Sequence, residues 1–123
     1  MFILVAEDDD ALRSLLTEFL ESQGHNVKSA KNGMELVELA LPVRPDLIIT
    51  DLNMPQMDGS TMIAMLSVYP ELAGIPVIVI TGTSLIEVAE MRIPKEIPVL
   101  IKPFNFEKIT AAIQKVSDAR SGT

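Results

Sequence analysis

Four apolar runs in this chain each end in residues able to do chemistry. Phe2–Ala6 is followed by Glu7-Asp8-Asp9-Asp10, and Leu47–Thr50 by Asp51-Leu-Asn-Met-Pro-Gln-Met-Asp-Gly59. Val77–Ile80 leads into Thr81-Gly82-Thr83, and Val99–Ile101 into Lys102-Pro103-Phe104. If Glu7, Asp8 and Asp51 meet, their charges repel unless a cation joins them or their pKa values rise. An all-oxygen set without histidine or cysteine favours a hard ion, and Mg²⁺ accepts few carboxylates while keeping several waters. A carboxylate beside Mg²⁺ and the Lys102 ammonium can attack phosphorus, because both cations offset charge on the transferring oxygens. Aspartyl phosphates are a known form of covalent catalysis. The Thr81 hydroxyl can donate to a phosphoryl oxygen, and Gly82 leaves open space beside that group.

Taken singly, these residues have ordinary explanations. Asp9 or Asp10 reads as the N-cap of the following helix, and Thr81 and Lys102 read as strand-end residues. The weight comes from four strand ends carrying complementary groups. His25, the only histidine, sits near a glycine turn with no second ligand or orienting partner in view. Met62 and Met65 read as helix filler rather than as a binding groove.

The elements that must position these groups follow from hydrophobic patterning. Phe2–Ala6, Asn26–Ser29, Leu47–Thr50, Val77–Ile80 and Val99–Ile101 read as strands. Three of them are nearly continuous in Val, Ile and Leu, as in a parallel sheet covered on both faces. Helical stripes lie between them. They are Leu12, Leu15, Leu16, Phe19 and Leu20, stopped near Gly24; Met34, Val37 and Leu41 before Pro42; and Met62, Ile63 and Leu66 before Pro70. Ser84 and Glu87 have capping-box spacing and open a short helix. Phe106, Ile109, Ala112, Ile113 and Val116 stripe the last helix, with Asn105 as its N-cap. Ile93–Pro98 reads as a connector. The order is (βα)5, which predicts an α/β fold, a doubly wound five-stranded parallel sheet of the flavodoxin-like kind. Such a sheet binds ligands beyond the carboxyl ends of its strands, where the four chemical stretches fall. The domain is expected over residues 1–118, with 119–123 as a polar tail and the chain fraying from Ser117.

Composition sets outer bounds. At 123 residues and 48% hydrophobic, the chain suits one domain with its own core and argues against disorder. No apolar run reaches the length of a membrane helix. The first apolar run is too short for a signal-peptide core and lacks basic residues before it, so a cytoplasmic protein is expected. The absence of cysteine excludes disulfides, thiolate metal sites and cysteine nucleophiles. A net charge of −7 without a basic run argues against nucleic acid as a direct partner, leaving proteins and a cation.

The Glu7-Asp8 pair, the Asp51-x-x-Met-Pro-x-Met-Asp-Gly59 stretch, Thr81 and Lys102-Pro-Phe104 together resemble the receiver domain of two-component response regulators. The resemblance covers nearly the whole chain. It implies that Asp51 is the phosphoacceptor, charged by a sensor histidine kinase or a histidine phosphotransfer protein. It implies direct Mg²⁺ binding by Asp8, Asp51 and the backbone carbonyl of Asn53, with Glu7 acting largely through water. Thr81 and Lys102 would contact the phosphoryl group, the Lys102–Pro103 bond would be cis, and Asn53 and Thr83 would tune phosphoryl lifetime. Such a domain catalyses only its own phosphorylation and dephosphorylation, and it signals to a downstream protein by contact. No output segment follows the last helix, and the start at Met1 one residue before the first strand fits a stand-alone protein, with a fragment of a hybrid kinase as the alternative reading.

The chain departs from the family pattern at Val99, where Tyr or Phe is frequent, and at Ile93-Pro-Lys-Glu-Ile-Pro98, which replaces a small-residue turn. The expectation is that switching proceeds through Thr81 and a rearranged Ser84–Met91 segment. Identical amide spectra there with and without a phosphoryl mimic would refute it. Two other functions compete. A Mg²⁺-dependent phosphatase with an aspartyl-phosphate intermediate, similar to haloacid dehalogenases, wants an acid two residues after its nucleophile, where this chain has Asn53. An unphosphorylated interaction module would leave the pocket unused.

Overall fold

Strands buried on both faces need helices on both sides, and the period-2 alternation of side chains decides which residue meets which layer. The computed structural model describes residues 1–52, 59–82, 84–90, 93–103 and 105–121. Its elements run β1 (Phe2–Ala6), α1 (Asp10–Ser22), β2 (Asn26–Ala30), α2 (Gly33–Ala40), β3 (Leu47–Thr50), α3 (Gly59–Val68), β4 (Val77–Thr81), α4 (Leu85–Glu90), β5 (Val99–Ile101) and α5 (Phe106–Ser121). The sheet order is β2-β1-β3-β4-β5, and every neighbouring pair is parallel. This is the expected doubly wound sheet. Its order reverses between β1 and β3, and that is where ligand crevices form in such folds.

Alternation splits the core in two. Ile3 and Val5 of β1, Leu47 and Ile49 of β3, and Ile78 and Ile80 of β4 pack with Leu16 and Leu20 of α1 and Ile109 and Ile113 of α5. The intervening Leu4, Ala6, Ile48, Val77 and Val79 pack on the other face with Leu36, Val37 and Ala40 of α2 and Leu66 of α3. Phe19 of α1 stacks on Phe106 of α5, with ring centroids 4.1 Å apart, which joins the two helices of one layer.

The helix starts are local chemistry. Asp9 caps α1 by accepting from Leu12 N at 2.9 Å, and Asn32 caps α2 by accepting from Glu35 N at 2.9 Å. Ser84 accepts from Glu87 N at 3.3 Å, and Asn105 accepts from Lys108 N at 2.9 Å. Each satisfies an N–H that the helix itself leaves without a partner. Gly24, with φ 91°, turns the chain out of α1 in a conformation other residues avoid.

The structure corrects several sequence expectations. Leu15 is 49% exposed and points away from the sheet; Leu16 and Leu20, one turn apart, carry the buried stripe of α1. In α2 the buried face is Gly33, Leu36, Val37 and Ala40, an i, i+3, i+4, i+7 set, whereas Met34 and Leu41 are exposed. The β2 and β4 strands each run one residue further, to Ala30 and Thr81. The last helix continues through Ser117 to Ser121, because its residues beyond Val116 include no glycine or proline before Gly122 to stop it. Among the described residues no helix is long and apolar enough to cross a membrane.

Candidate functional site

Register brings the strand-end groups level. Ala6 pairs with Thr50 and Thr50 with Val79, so Glu7 and Asp51 leave the sheet side by side. Their backbones stay fixed one residue past the strands: Asp51 N donates to Ala6 O at 3.0 Å and Glu7 N to Ala30 O at 3.0 Å. Thr81 pairs with Ile101, and Lys102 N donates to Thr81 O at 2.7 Å, which ties the ends of β4 and β5 together.

Lys102 then reaches back across β4. Its Nζ donates to Asp51 Oδ2 at 2.8 Å and to Glu7 Oε1 at 2.9 Å. The stem passes Gly82, where an added Cβ would meet Lys102 Cδ at 3.9 Å; that is ordinary contact, so alanine would fit there. The Lys102–Pro103 peptide is cis. Glu7 is 2% exposed and Asp51 5%, so two acids are buried at the carboxyl edge of the sheet. Asp8, one residue on, is exposed. Glu7, Asp8 and Asp51 each offer an oxygen, and these oxygens lie within 4.8 Å of one another. Thr81 is fully buried at the end of β4.

The electrostatics set one ammonium against three carboxylates. Burial raises the Glu7 pKa above the usual carboxylate range, and the Asp51 charge adds to this; hydrogen bonds from Lys102 and the Asp9 amide oppose it without cancelling it. For Lys102, burial pulls the other way, but the hydrogen bonds and charges of Asp51 and Glu7 together raise its pKa. The difference follows from depth. The Lys102 side chain is 26% exposed against 3% for Glu7, so pairing outweighs desolvation for the lysine and not for the glutamate. A cluster short of positive charge, whose three acids each offer an oxygen, suits a hard divalent cation.

The expected groups on β1, β3, β4 and β5 therefore do come to one edge. Asn53 and Thr83, with residues 54–58, Met91 and Phe104, lie outside the described residues. Val99 is partly buried on β5, paired with Val79 and packed against the apolar cluster that includes Val88 of α4. Sequence reasoning missed two contacts. One is the direct Lys102–Glu7 pair, since the sequence assigned Lys102 to a phosphoryl group and Glu7 to water. The other is Arg13, whose Nη1 donates to Glu7 O at 2.9 Å while its Nη2 pairs with Asp10. Its i, i+3 spacing from Asp10 was the available signal.

Comparison with known proteins agrees with this geometry. The family model described as the response regulator receiver domain matches residues 3–114. The chain is 30% identical to the sporulation initiation phosphotransferase F of Bacillus subtilis over 97% of this chain and 95% of that protein. The chemotaxis protein CheY4 of Vibrio cholerae superposes with a TM-score of 0.84 at 28% identity, over 94% of this chain and 97% of that one. The response regulator TrrA of Thermotoga maritima, solved in complex with Mg(2+)-BeF, superposes with a TM-score of 0.81 at 25% identity, over 94% and 97%. Of two longer curated relatives the chain spans 47% and 38% of the length. A sheet-edge acid cluster bridged by a lysine, on this strand order and with these relatives, places the chain in the response regulator receiver family of two-component phosphorelay signalling, whose members mostly signal rather than catalyse.

Proposed function

We propose that this domain accepts a phosphoryl group on Asp51 from the phosphohistidine of a sensor histidine kinase or a histidine phosphotransfer protein. It then signals by contact with a downstream protein, in the cytoplasm. One observation carries the reading: Asp51 is buried, yet its carboxylate stands at the ligand-binding edge of the sheet, 2.8 Å from Lys102 Nζ and clustered with Glu7 and Asp8.

Glu7, Asp8 and Asp51 would hold Mg²⁺, with the backbone carbonyl of Asn53 as a further ligand. The Mg²⁺-containing complex of the related TrrA and the oxygen-only donor set support that choice. When bound, the ion offsets charge on the phosphoryl oxygens. The protein's own groups do the rest. An Asp51 oxygen forms the new O–P bond as the donor N–P bond breaks, and the electron pair of that bond returns to the imidazole nitrogen. Lys102, already aimed at Asp51, moves with its charge to a phosphoryl oxygen. The Thr81 hydroxyl donates to another, and Thr83 tunes how long the group survives. Catalysis extends no further than the domain's own phosphorylation and dephosphorylation.

Intact mass after incubation with acetyl phosphate and Mg²⁺ tests this, beside Asp51→Asn. One added phosphoryl group is expected, lost in Asp51→Asn and without Mg²⁺. An equal gain in both proteins would move the acceptor elsewhere, and no gain in either would favour an unphosphorylated interaction module.

A further inference from the structure

We propose that Arg13 is a positioning residue: it holds the turn between β1 and α1 so that Glu7 and Asp8 stay presented to Asp51. The importance of that presentation rests on the phosphoacceptor reading above. The contact itself stands on geometry. Glu7 is the first residue beyond β1, and its peptide N–H is fixed by Ala30 O at 3.0 Å. Its carbonyl accepts from Arg13 Nη1 at 2.9 Å, so the Glu7 residue is held at both ends of its backbone.

Arg13 is suited to this task because it is itself fixed. Its N–H donates to Asp9 O at 2.9 Å, its carbonyl accepts from Thr17 Oγ1 at 2.8 Å, and the second arm of its guanidinium pairs with Asp10. The arginine side chain is 19% exposed, whereas that of Asp10 is 87% exposed. The planar fork therefore spans from the solvent side of α1 to the end of β1, which a lysine point charge cannot do with one geometry. Glu7 and Asp8 are consecutive, so a change in the soft dihedrals either side of their peptide, Glu7 ψ and Asp8 φ, swings the two carboxylates apart. Misplacement by about 1 Å in a reacting constellation can cost up to about a hundredfold in rate.

The test compares Arg13→Met and Arg13→Lys with Ser22→Ala, which removes the bond from Ser22 Oγ to Phe19 O on the same helix without touching Arg13 or the turn. Two readouts are needed that loss of helix stability alone would not move. The first, without metal, is hydrogen exchange of the Asp9 amide, which donates to Glu7 Oε2 at 3.2 Å. The second is Mg²⁺ affinity by calorimetry. Arg13→Met is expected to speed Asp9 exchange by about tenfold and weaken Mg²⁺ binding by about tenfold, at the low end of the range seen for groups that orient metal ligands. Arg13→Lys should fall between, and Ser22→Ala should leave both near wild type. If Arg13→Met matches Ser22→Ala in both, the positioning role is overturned. If wild type takes up no phosphoryl group while Arg13→Met still loosens Asp9, the phosphoacceptor reading fails and the positioning role stands.

Discussion

Replacing Lys102 by Met removes an ammonium in contact with two buried carboxylates. Removing one partner of a fully buried ion pair typically costs about 3–5 kcal/mol, because the other charge is left without compensation. Two features reduce that figure here. The Lys102 side chain is 26% exposed, so water can reach the space it leaves, and Glu7 already has a raised pKa and can take up a proton. A loss of about 2 kcal/mol near neutral pH is therefore expected. With an unfolding entropy of about 2.1 cal/mol/K per residue, a chain of 123 residues would lose about 8 °C in Tm.

The pH dependence has a definite sign. Without the ammonium, the folded-state pKa of the Glu7 carboxylate rises further above its unfolded value of about 4.3. A group raised in the folded state contributes stability that is full below the unfolded pKa and is lost as pH rises through the folded one. The deficit of Lys102→Met should thus be small near pH 4.5 and widen toward pH 7.5. Mg²⁺ should narrow it, since a bound cation stabilises the folded state by mass action and the variant's acids hold no competing lysine. Urea unfolding of both proteins at the two pH values, with and without Mg²⁺, measures all of this. A deficit equal at both pH values, or a variant as stable as wild type at pH 7.5, would refute the view that Lys102 offsets buried carboxylate charge.

His25 should report the opposite sign. Burial first, and then the charge of the amino group of Met1, lower its pKa, with Met1 N 3.3 Å from Nδ1. Its contribution is present above the unfolded value near 6.5 and is lost as pH falls toward the folded value, so the urea midpoint should drop more in wild type than in His25→Gln between pH 7.5 and 5.5; equal drops would show the ring to be uncoupled from folding. Asn105→Ala removes the cap of α5 and should cost about 1 kcal/mol by urea unfolding, with a loss below a few tenths counting against the cap.

The fold was legible because its strands announce themselves twice, as apolar runs and as runs that stop at chemical residues. Phe2–Ala6, Leu47–Thr50 and Val77–Ile80 could only be satisfied with helices on both faces. The caps at Asp9, Ser84 and Asn105 were legible for a similar local reason, since one side chain and one N–H three residues on decide each. Boundaries were less so. Leu15, Met34 and Leu41 are apolar in sequence and exposed in the structure, because apolar type alone does not say which edge of a stripe the sheet covers. Sequence reading ended α5 too soon because small polar residues favour fraying in isolation, while Ile109, Ala112 and Ile113 hold the helix to the sheet upstream of them.

The site divides along the same line. That Glu7 and Asp51 meet follows from strand order: only with β1 beside β3 do two strand ends 44 residues apart in sequence become neighbours. The alternation of strands and helices implies parallel strands but leaves their order open, so the meeting was an inference from chemistry before it was one from geometry. The Lys102–Glu7 contact lies a step further away. It needs Lys102 N held by Thr81 O, a stem laid past Gly82 and a glutamate long enough to answer from β1 across β3. Glu7 at the end of β1 thus does more than supply charge for a cation. Its length lets one oxygen reach the lysine at 2.9 Å while the other accepts from the Asp9 amide. This couples the turn that presents Asp8 to the cation that faces Asp51.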